Sequence, residues 1–143
     1  MKISKANAVW QGNLVKGNGT VNLPSTGYAT PYNYLSRFEN GTDTNPEELI
    51  AAAHAACFSM ALAHQLSENG HEPDQVSTEA KVTLERSDSG FYIKEILLST
   101  RAKIKDIDEK TFLSIAEDAK VNCPVSKALA AVKINLDAKL LLV

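Results

Sequence analysis

Two cysteines are the residues of this chain most able to do covalent chemistry: Cys57, within Ala55-Ala56-Cys57-Phe58, and Cys123, followed by Pro124. Taken alone, Cys57 reads as a small core hydrophobe, since free cysteine is among the most buried residue types. Cys123 changes that balance. A Cys-Pro step marks a helix start, where unpaired backbone N–H groups and the positive end of the helix dipole favour a thiolate. One cysteine inside a helix and another at a helix mouth suit a thiol–disulfide cycle. A structural disulfide over so long a loop would be stabilising, but a reducing compartment argues against it.

The neighbours of Cys57 decide what such a thiol can do. His54 lies three residues earlier and shares its helix face, so it can bias the thiolate or simply be a satisfied core histidine. With Cys57 and Cys123 it could supply zinc ligands, but no CxxC or HxxxH spacing supports a metal site, and no cofactor is expected. A Cys57–His54 hydrolase is disfavoured because neither a third member nor an oxyanion hole is evident. His64 and His71 carry no case. On an ideal helix Glu47 sits about 80° from Cys57 around the axis and about 15 Å along it, while Glu48 faces the opposite side. Glu47 therefore cannot touch the thiol, but it can pair with a cation that does. Arg37, in Leu35-Ser36-Arg37-Phe38-Glu39, is the candidate. A guanidinium near a buried thiol favours the reactive thiolate and stabilises charge developing on a breaking peroxide bond. The bland alternative for Arg37 is a surface pair with Glu39 or Asp43.

These residues must be held by elements that the pattern also predicts. Asn45 can cap a helix, Pro46 suits its first position, and Glu48 completes a capping-box pattern. Gly70 stops that helix. Leu49 to Leu66 is apolar almost all round, which predicts burial on most sides. Alternation at Ala6, Ala8 and Trp10, a Gly12-Asn13 turn, and Leu14 to Leu23 interrupted by Gly17-Asn18-Gly19 read as short antiparallel strands. Pro24 to Asn45, rich in turn formers and aromatics, reads as a long, partly extended segment passing over a partner or a cleft. Val76 to Leu84 and Phe91 to Ile104, joined by Asp88-Ser89-Gly90, form a hairpin. Phe112, Ile115, Ala116 and Ala119 fall at helical spacing. A second short helix is expected from Cys123-Pro124 to about Val132, and Ile134 to Leu140 close the chain as a strand. Without regular βαβ alternation the class is α+β, and 143 residues without a linker or repeat predict a single domain over 1–143.

Composition narrows the functional classes. Hydrophobic residues make up 44% and charged residues 22%, with a net charge of −2, an ordinary soluble balance without a basic footprint for nucleic acid or an anionic membrane. The opening MKISKANAVWQG lacks a signal-peptide core, so a cytoplasmic location is expected. The Leu49–Leu66 run is about long enough to span a bilayer. Yet it is mostly alanine, carries His54, His64 and Gln65, and lacks flanking basic residues, so a buried soluble helix is the reading. So apolar a helix needs more cover than one small chain provides, which predicts a dimer.

Assembled, these residues resemble the OsmC/Ohr family of osmotically inducible and organic-hydroperoxide-resistance proteins. The resemblance rests on Arg37-Phe38-Glu39, on the run from Thr44-Asn45-Pro46-Glu47-Glu48 through Ala53-His54-Ala55-Ala56-Cys57-Phe58-Ser59-Met60, and on Cys123-Pro124-Val125-Ser126. His54, where the Ohr branch carries a tyrosine, favours the OsmC branch. The resemblance implies an OsmC-like fold, with antiparallel strands around a long buried central helix, and an intertwined homodimer with its active sites at the subunit interface. It implies a peroxidatic Cys57, a resolving Cys123, an activating Arg37 and a Glu47 that orients it. The expected activity is peroxidase defence against organic hydroperoxides, more weakly against hydrogen peroxide, with a small dithiol or lipoyl-type reductant reopening a Cys57–Cys123 disulfide. The competing expectation is a non-enzymatic stress-induced binding or structural protein, with Cys57 in the core.

Overall fold

The computed structural model describes residues 1–141, and the chain gathers into two compact units, Met1–Leu49 and the remainder from Ile50. In the first unit, β1 (Asn7–Gln11), β2 (Asn18–Leu23) and β3 (Tyr28–Tyr32) form an antiparallel sheet in that order. Trp10 and Tyr32 meet with ring centroids 5.3 Å apart. Gly19 lies between them, where a Cβ would come within 2.5 Å of the Tyr32 ring, so a side chain there would force the aromatics apart.

The segment expected to be long and partly extended, Pro24 to Asn45, instead contains β3 and a short helix, α1 (Tyr34–Phe38). Its turn formers act locally. The Thr26 hydroxyl donates to Leu23 O and accepts from the Tyr28 N–H, closing the β2–β3 turn. Asn33 and Ser36 form a reciprocal capping box that starts α1. Asn33 also donates to Asp43 at 2.7 Å, and Ser36 Oγ donates to Thr44 O at 2.7 Å.

The long helix α2 (Pro46–Glu68) begins and ends as expected. Asn45 Oδ1 accepts the Glu48 N–H at 2.8 Å. The Glu48 carboxylate, expected to complete a capping box, takes the Thr44 hydroxyl at 2.6 Å. At the other end Gly70 adopts φ +84°. Its N–H reaches Ser67 O and the His71 N–H reaches Leu66 O, a Schellman closure that favours glycine. His54, Phe58, Leu62 and Leu66, at every fourth position, are completely buried, each apolar one contributing roughly 1.5–3 kcal/mol. Burial on most sides is not found within one chain: Ala52, Ala53, Ala56 and Met60 are exposed, Met60 at 75%. The helix is long and apolar enough to cross a membrane by length and composition alone, but its buried stripe packs into a protein core.

That core is built in the second unit. β4 (Pro73–Ser87) and β5 (Gly90–Ile104) form the expected antiparallel hairpin. Ile96, Leu98, Thr100, Ala102 and Ile104 alternate inward from β5. Phe112, Ile115, Ala116 and Ala119 of α3 (Glu109–Asn122) meet Phe58, Leu62 and Leu66 there. Ser59 of α2 donates to Thr78 Oγ1 at 2.8 Å, and Thr78 lies 2.9 Å from Thr100 Oγ1, tying helix to sheet. Helix α4 (Pro124–Ala128) ends before the expected Val132. β6 (Lys133–Leu141) then pairs with β5 in parallel. The intervening α3–α4 crossover permits that pairing, which a tight turn could not. The result is an α+β arrangement with two three-stranded sheets.

Candidate active site

The structure gathers the four sequence-predicted residues as two pairs, Cys57 with Cys123 in the second unit and Arg37 with Glu47 in the first. Cys57 follows the helix face beside buried Phe58, so the core anchors its backbone while its side chain sits at the rim, half-buried. Cys123 ends α3, its N–H donating to Ala119 O at 2.9 Å, and extended ψ of 123° precedes Pro124, as proline demands of the residue before it. This break places Cys123 Sγ, fully buried, 2.8 Å from Cys57 Sγ.

The two thiols are not equivalent. Burial pushes the Cys57 thiol up and the adjacent Cys123 sulfur pushes it further, with the Val125 N–H opposing. Burial also works against a Cys123 thiolate. There, however, the Cys57 sulfur, the N–H and hydroxyl of Ser126 and the Val125 N–H outweigh it, holding Cys123 below the ordinary thiol value. At 2.8 Å the two sulfurs are close enough to titrate as a pair rather than one by one.

Access runs the other way. Cys57 lines an open, mainly apolar cleft of about 570 Å³ with Met60, Ala61, His64, Gln65, Asn122 and Pro124. His64, for which the sequence offers no chemical role, joins this lining through its helical spacing from Cys57. Met60, Ala61, His64 and Gln65 follow at the offsets that share one helix face. His54 points elsewhere, its Nε2 lying 2.8 Å from Ser126 Oγ with both residues buried. Burial holds the His54 pKa below its usual value.

Arg37 finds neither Glu39 nor Asp43 as its ion-pair partner but Glu47. Its Nη2 donates to Glu47 Oε1 at 3.0 Å, and its Nε reaches both carboxylate oxygens at 3.3 and 3.4 Å. The guanidinium also lies 5.2 Å from the Phe38 ring centroid. The α1 capping box and the Asn45 side chain, which donates to Ser36 O at 2.8 Å, hold the two elements that carry this pair. Glu47 is buried while the Arg37 side chain remains 37% exposed, so the carboxylate is fixed and the arginine keeps a free edge. A planar fork of this kind can present its remaining donors to an anionic oxygen.

Comparison with known proteins places the chain by sequence and fold. The OsmC-like protein family matches residues 39–137. Peroxiredoxin OsmC of Escherichia coli strain K12 is 46% identical over 137 residues, covering 95% of each chain. Organic hydroperoxide resistance protein OhrB of Bacillus subtilis strain 168 is 37% identical over 103 residues, 71% of each. The crystal structure of Bacillus subtilis OhrB superposes with a TM-score of 0.74 at 29% identity, covering 94% of this chain and 98% of that one. An organic hydroperoxide resistance protein from Elizabethkingia anophelis shares the fold, with a TM-score of 0.73 at 22% identity, covering 98% and 99%. In fold and sequence, the chain belongs to the OsmC-like protein family.

Proposed function

We propose that this protein is a thiol peroxidase that reduces organic hydroperoxides, with Cys57 attacking and Cys123 resolving. The observation that carries the reading is the 2.8 Å sulfur pair in which Cys57 alone lines the cleft and Cys123 is sealed behind it. Relatives named peroxiredoxin OsmC and organic hydroperoxide resistance protein support the reaction class.

The Cys57 thiolate attacks the terminal peroxide oxygen. An S–O bond forms, the O–O bond breaks, and the alkoxide takes a proton and leaves as an alcohol. Cys57 is left as a sulfenic acid. Cys123 sulfur then attacks Cys57 sulfur, forming the S–S bond and releasing the oxygen as water. An external dithiol, small or lipoyl-type, reopens the disulfide by exchange. Burial, with the adjacent Cys123 sulfur, raises the Cys57 pKa, and a cation beside the thiol opposes that shift. That role falls to Arg37, oriented by Glu47, which also steadies the charge on the departing oxygen. The apolar cleft favours hydroperoxides with a hydrocarbon body over hydrogen peroxide.

The exposed apolar face of α2, at Ala52, Ala53, Ala56 and Met60, supports a homodimer in which a second copy covers the helix and each site lies at the subunit interface. A cytoplasmic setting completes the reading, since the cycle needs a reducing pool to restart it. Titrating the reduced protein with an alkyl hydroperoxide and counting thiols tests the cycle. Two thiols lost per chain for each peroxide consumed is expected, whereas peroxide-inert thiols would overturn the proposal.

A further inference from the structure

One buried polar pair has no part in the proposed cycle. His54 of α2 and Ser126 of α4 are both buried and meet in a hydrogen bond of 2.8 Å between Nε2 and Oγ. Among the described residues no other side-chain hydrogen bond joins these two helices. His54 stands three residues before Cys57, and Ser126 three residues after Cys123. On a helix that spacing is a little under one turn, about 4.5 Å along the axis. The turn that carries Cys123 is closed on itself, because the Lys127 N–H donates to Cys123 O at 3.0 Å. The bond and the 2.8 Å sulfur contact are therefore two rungs between α2 and the Cys123 turn, spaced by nearly one turn on either side.

Stability alone is a poor account of this pair. His54 Nδ1 is buried without a hydrogen-bond partner among the described residues. Leaving a buried polar atom unpaired costs at least as much as one neutral hydrogen bond gains, so an apolar side chain would serve the core as well. What an apolar contact does not supply is direction. Val125 and Leu129 pack against the core, and such packing tolerates sliding and rotation. A hydrogen bond fixes both a length and an angle. Position matters here because a disulfide needs its sulfurs at about 2.05 Å with a set torsion. From 2.8 Å that geometry is reached with little motion only if the Cys123 turn keeps its register.

We propose that the His54–Ser126 bond is a brace that keeps the Cys123 turn in register with Cys57, so that both are positioning residues for the step in which Cys123 resolves the Cys57 sulfenic acid. The brace rests on the peroxidase reading for its place in turnover, but its effect on the dithiol needs no peroxide. In the resolving step the Cys123 sulfur forms the S–S bond as the S–O bond of Cys57 breaks. The oxygen leaves as hydroxide and takes up the proton released by the Cys123 thiol. One sulfenic acid and one thiol thus give one disulfide and one water, with the sulfenic acid as the oxidant. The brace acts by proximity, raising the effective concentration of Cys123 at Cys57. Without it the sulfenic acid waits longer and meets a second peroxide, which carries it to sulfinic acid.

The test joins a measurement without peroxide to one that uses it. Equilibrating the full chain in glutathione buffers reads the effective concentration of the Cys57–Cys123 pair. His54→Leu combined with Ser126→Ala removes both partners at once, a change nearly neutral for stability. It should lower that concentration about tenfold, or about 30 mV in potential. Each single variant should fall as far, since the brace is lost only once. Ser126→Thr and His54→Gln, which keep a bonding atom at similar reach, should recover most of it. After one equivalent of alkyl hydroperoxide, decay of the sulfenic acid should slow about tenfold in the double variant and in Ser126→Ala, far more than attack at Cys57 slows. Sulfinic Cys57 should then accumulate as peroxide is raised. A parent-like effective concentration in both the double variant and Ser126→Ala, or parent-like resolution once Cys57 has gained oxygen, would overturn the proposal. If the concentration falls but hydroperoxide never oxidises Cys57, the peroxidase reading fails and the brace stands. If peroxide turns over normally and the concentration does not move, the brace alone is refuted.

Discussion

Removing either member of the Arg37–Glu47 pair should reveal whether the two act as one device. The buried Glu47 carboxylate receives the guanidinium at 3.0 Å through Nη2 and at 3.3–3.4 Å through Nε. Hydrogen bonds to charged groups are each worth about 1.5–3 kcal/mol. The Arg37 side chain is 37% exposed, and solvent screening reduces that to about 1–2 kcal/mol of orienting energy for the pair. Glu47→Ala, which frees Arg37 to wander, should therefore lower kcat/KM for an alkyl hydroperoxide by about 5- to 30-fold. Arg37→Ala removes the cation itself and should cost more, raising the Cys57 pKa as well as slowing attack. If Glu47 works only by holding Arg37, the double variant should be no slower than Arg37→Ala, a strongly non-additive cycle. Glu48→Ala is the internal control. It loses the bond to the Thr44 hydroxyl, should cost about 1 kcal/mol of stability, and should leave turnover near that of the parent. Effects of Arg37→Ala and Glu47→Ala that multiply independently, or a Glu48→Ala loss larger than that of Glu47→Ala, would refute the reasoning.

Three other outcomes are expected. Cys123→Ala removes the hydrogen bond and charge that raise the Cys57 pKa, so the Cys57 thiolate midpoint should fall, and one turnover should be followed by accumulation of sulfenic and overoxidised Cys57 on mass spectrometry. Burial lowers the His54 pKa, so the unfolded chain binds the proton more readily. That stability is full above the unfolded value near 6.5 and is lost as pH falls through the lowered folded value, by up to about 1.4 kcal/mol per pH unit; denaturant melts should show this acid slope in the parent and not in His54→Gln. Light scattering over a dilution series should report a dimer, with an interface in the obligate class above roughly 2,000 Å² and concentration-dependent unfolding, whereas a folded, fully active monomer at micromolar concentration would remove the shared-site assembly.

Much of the site was legible in the residues because its elements are marked by local chemistry. Asn45-Pro46 and Gly70 bracket α2 through caps that need no tertiary partner, and Cys123-Pro124 marks the break between α3 and α4. Helical geometry alone put Glu47, and not Glu48, on the side able to serve a cation. What stayed hidden depends on contacts distant in sequence or on very short elements. β3 and α1 are five residues each, too short for periodicity, and the Asn33–Ser36 box that starts α1 sat unread among other turn formers. The parallel β5–β6 pairing comes from the crossover, and the His54–Ser126 bond joins residues 72 apart. The exposed face of α2 marks the limit of reading burial from hydrophobicity, because composition alone does not say how much of an apolar helix its own chain covers.

The central claim is that Cys57 takes the peroxide oxygen and Cys123 removes it, and a rapid-quench mass-spectrometric time course on the reduced protein with one equivalent of an alkyl hydroperoxide tests it most directly. Cys57 should first gain a single oxygen, which should then vanish as a Cys57–Cys123 disulfide, two hydrogens lighter than the reduced chain, appears at the matching rate. Oxygen found first on Cys123, or a disulfide formed with no prior oxidation of Cys57, would contradict the account.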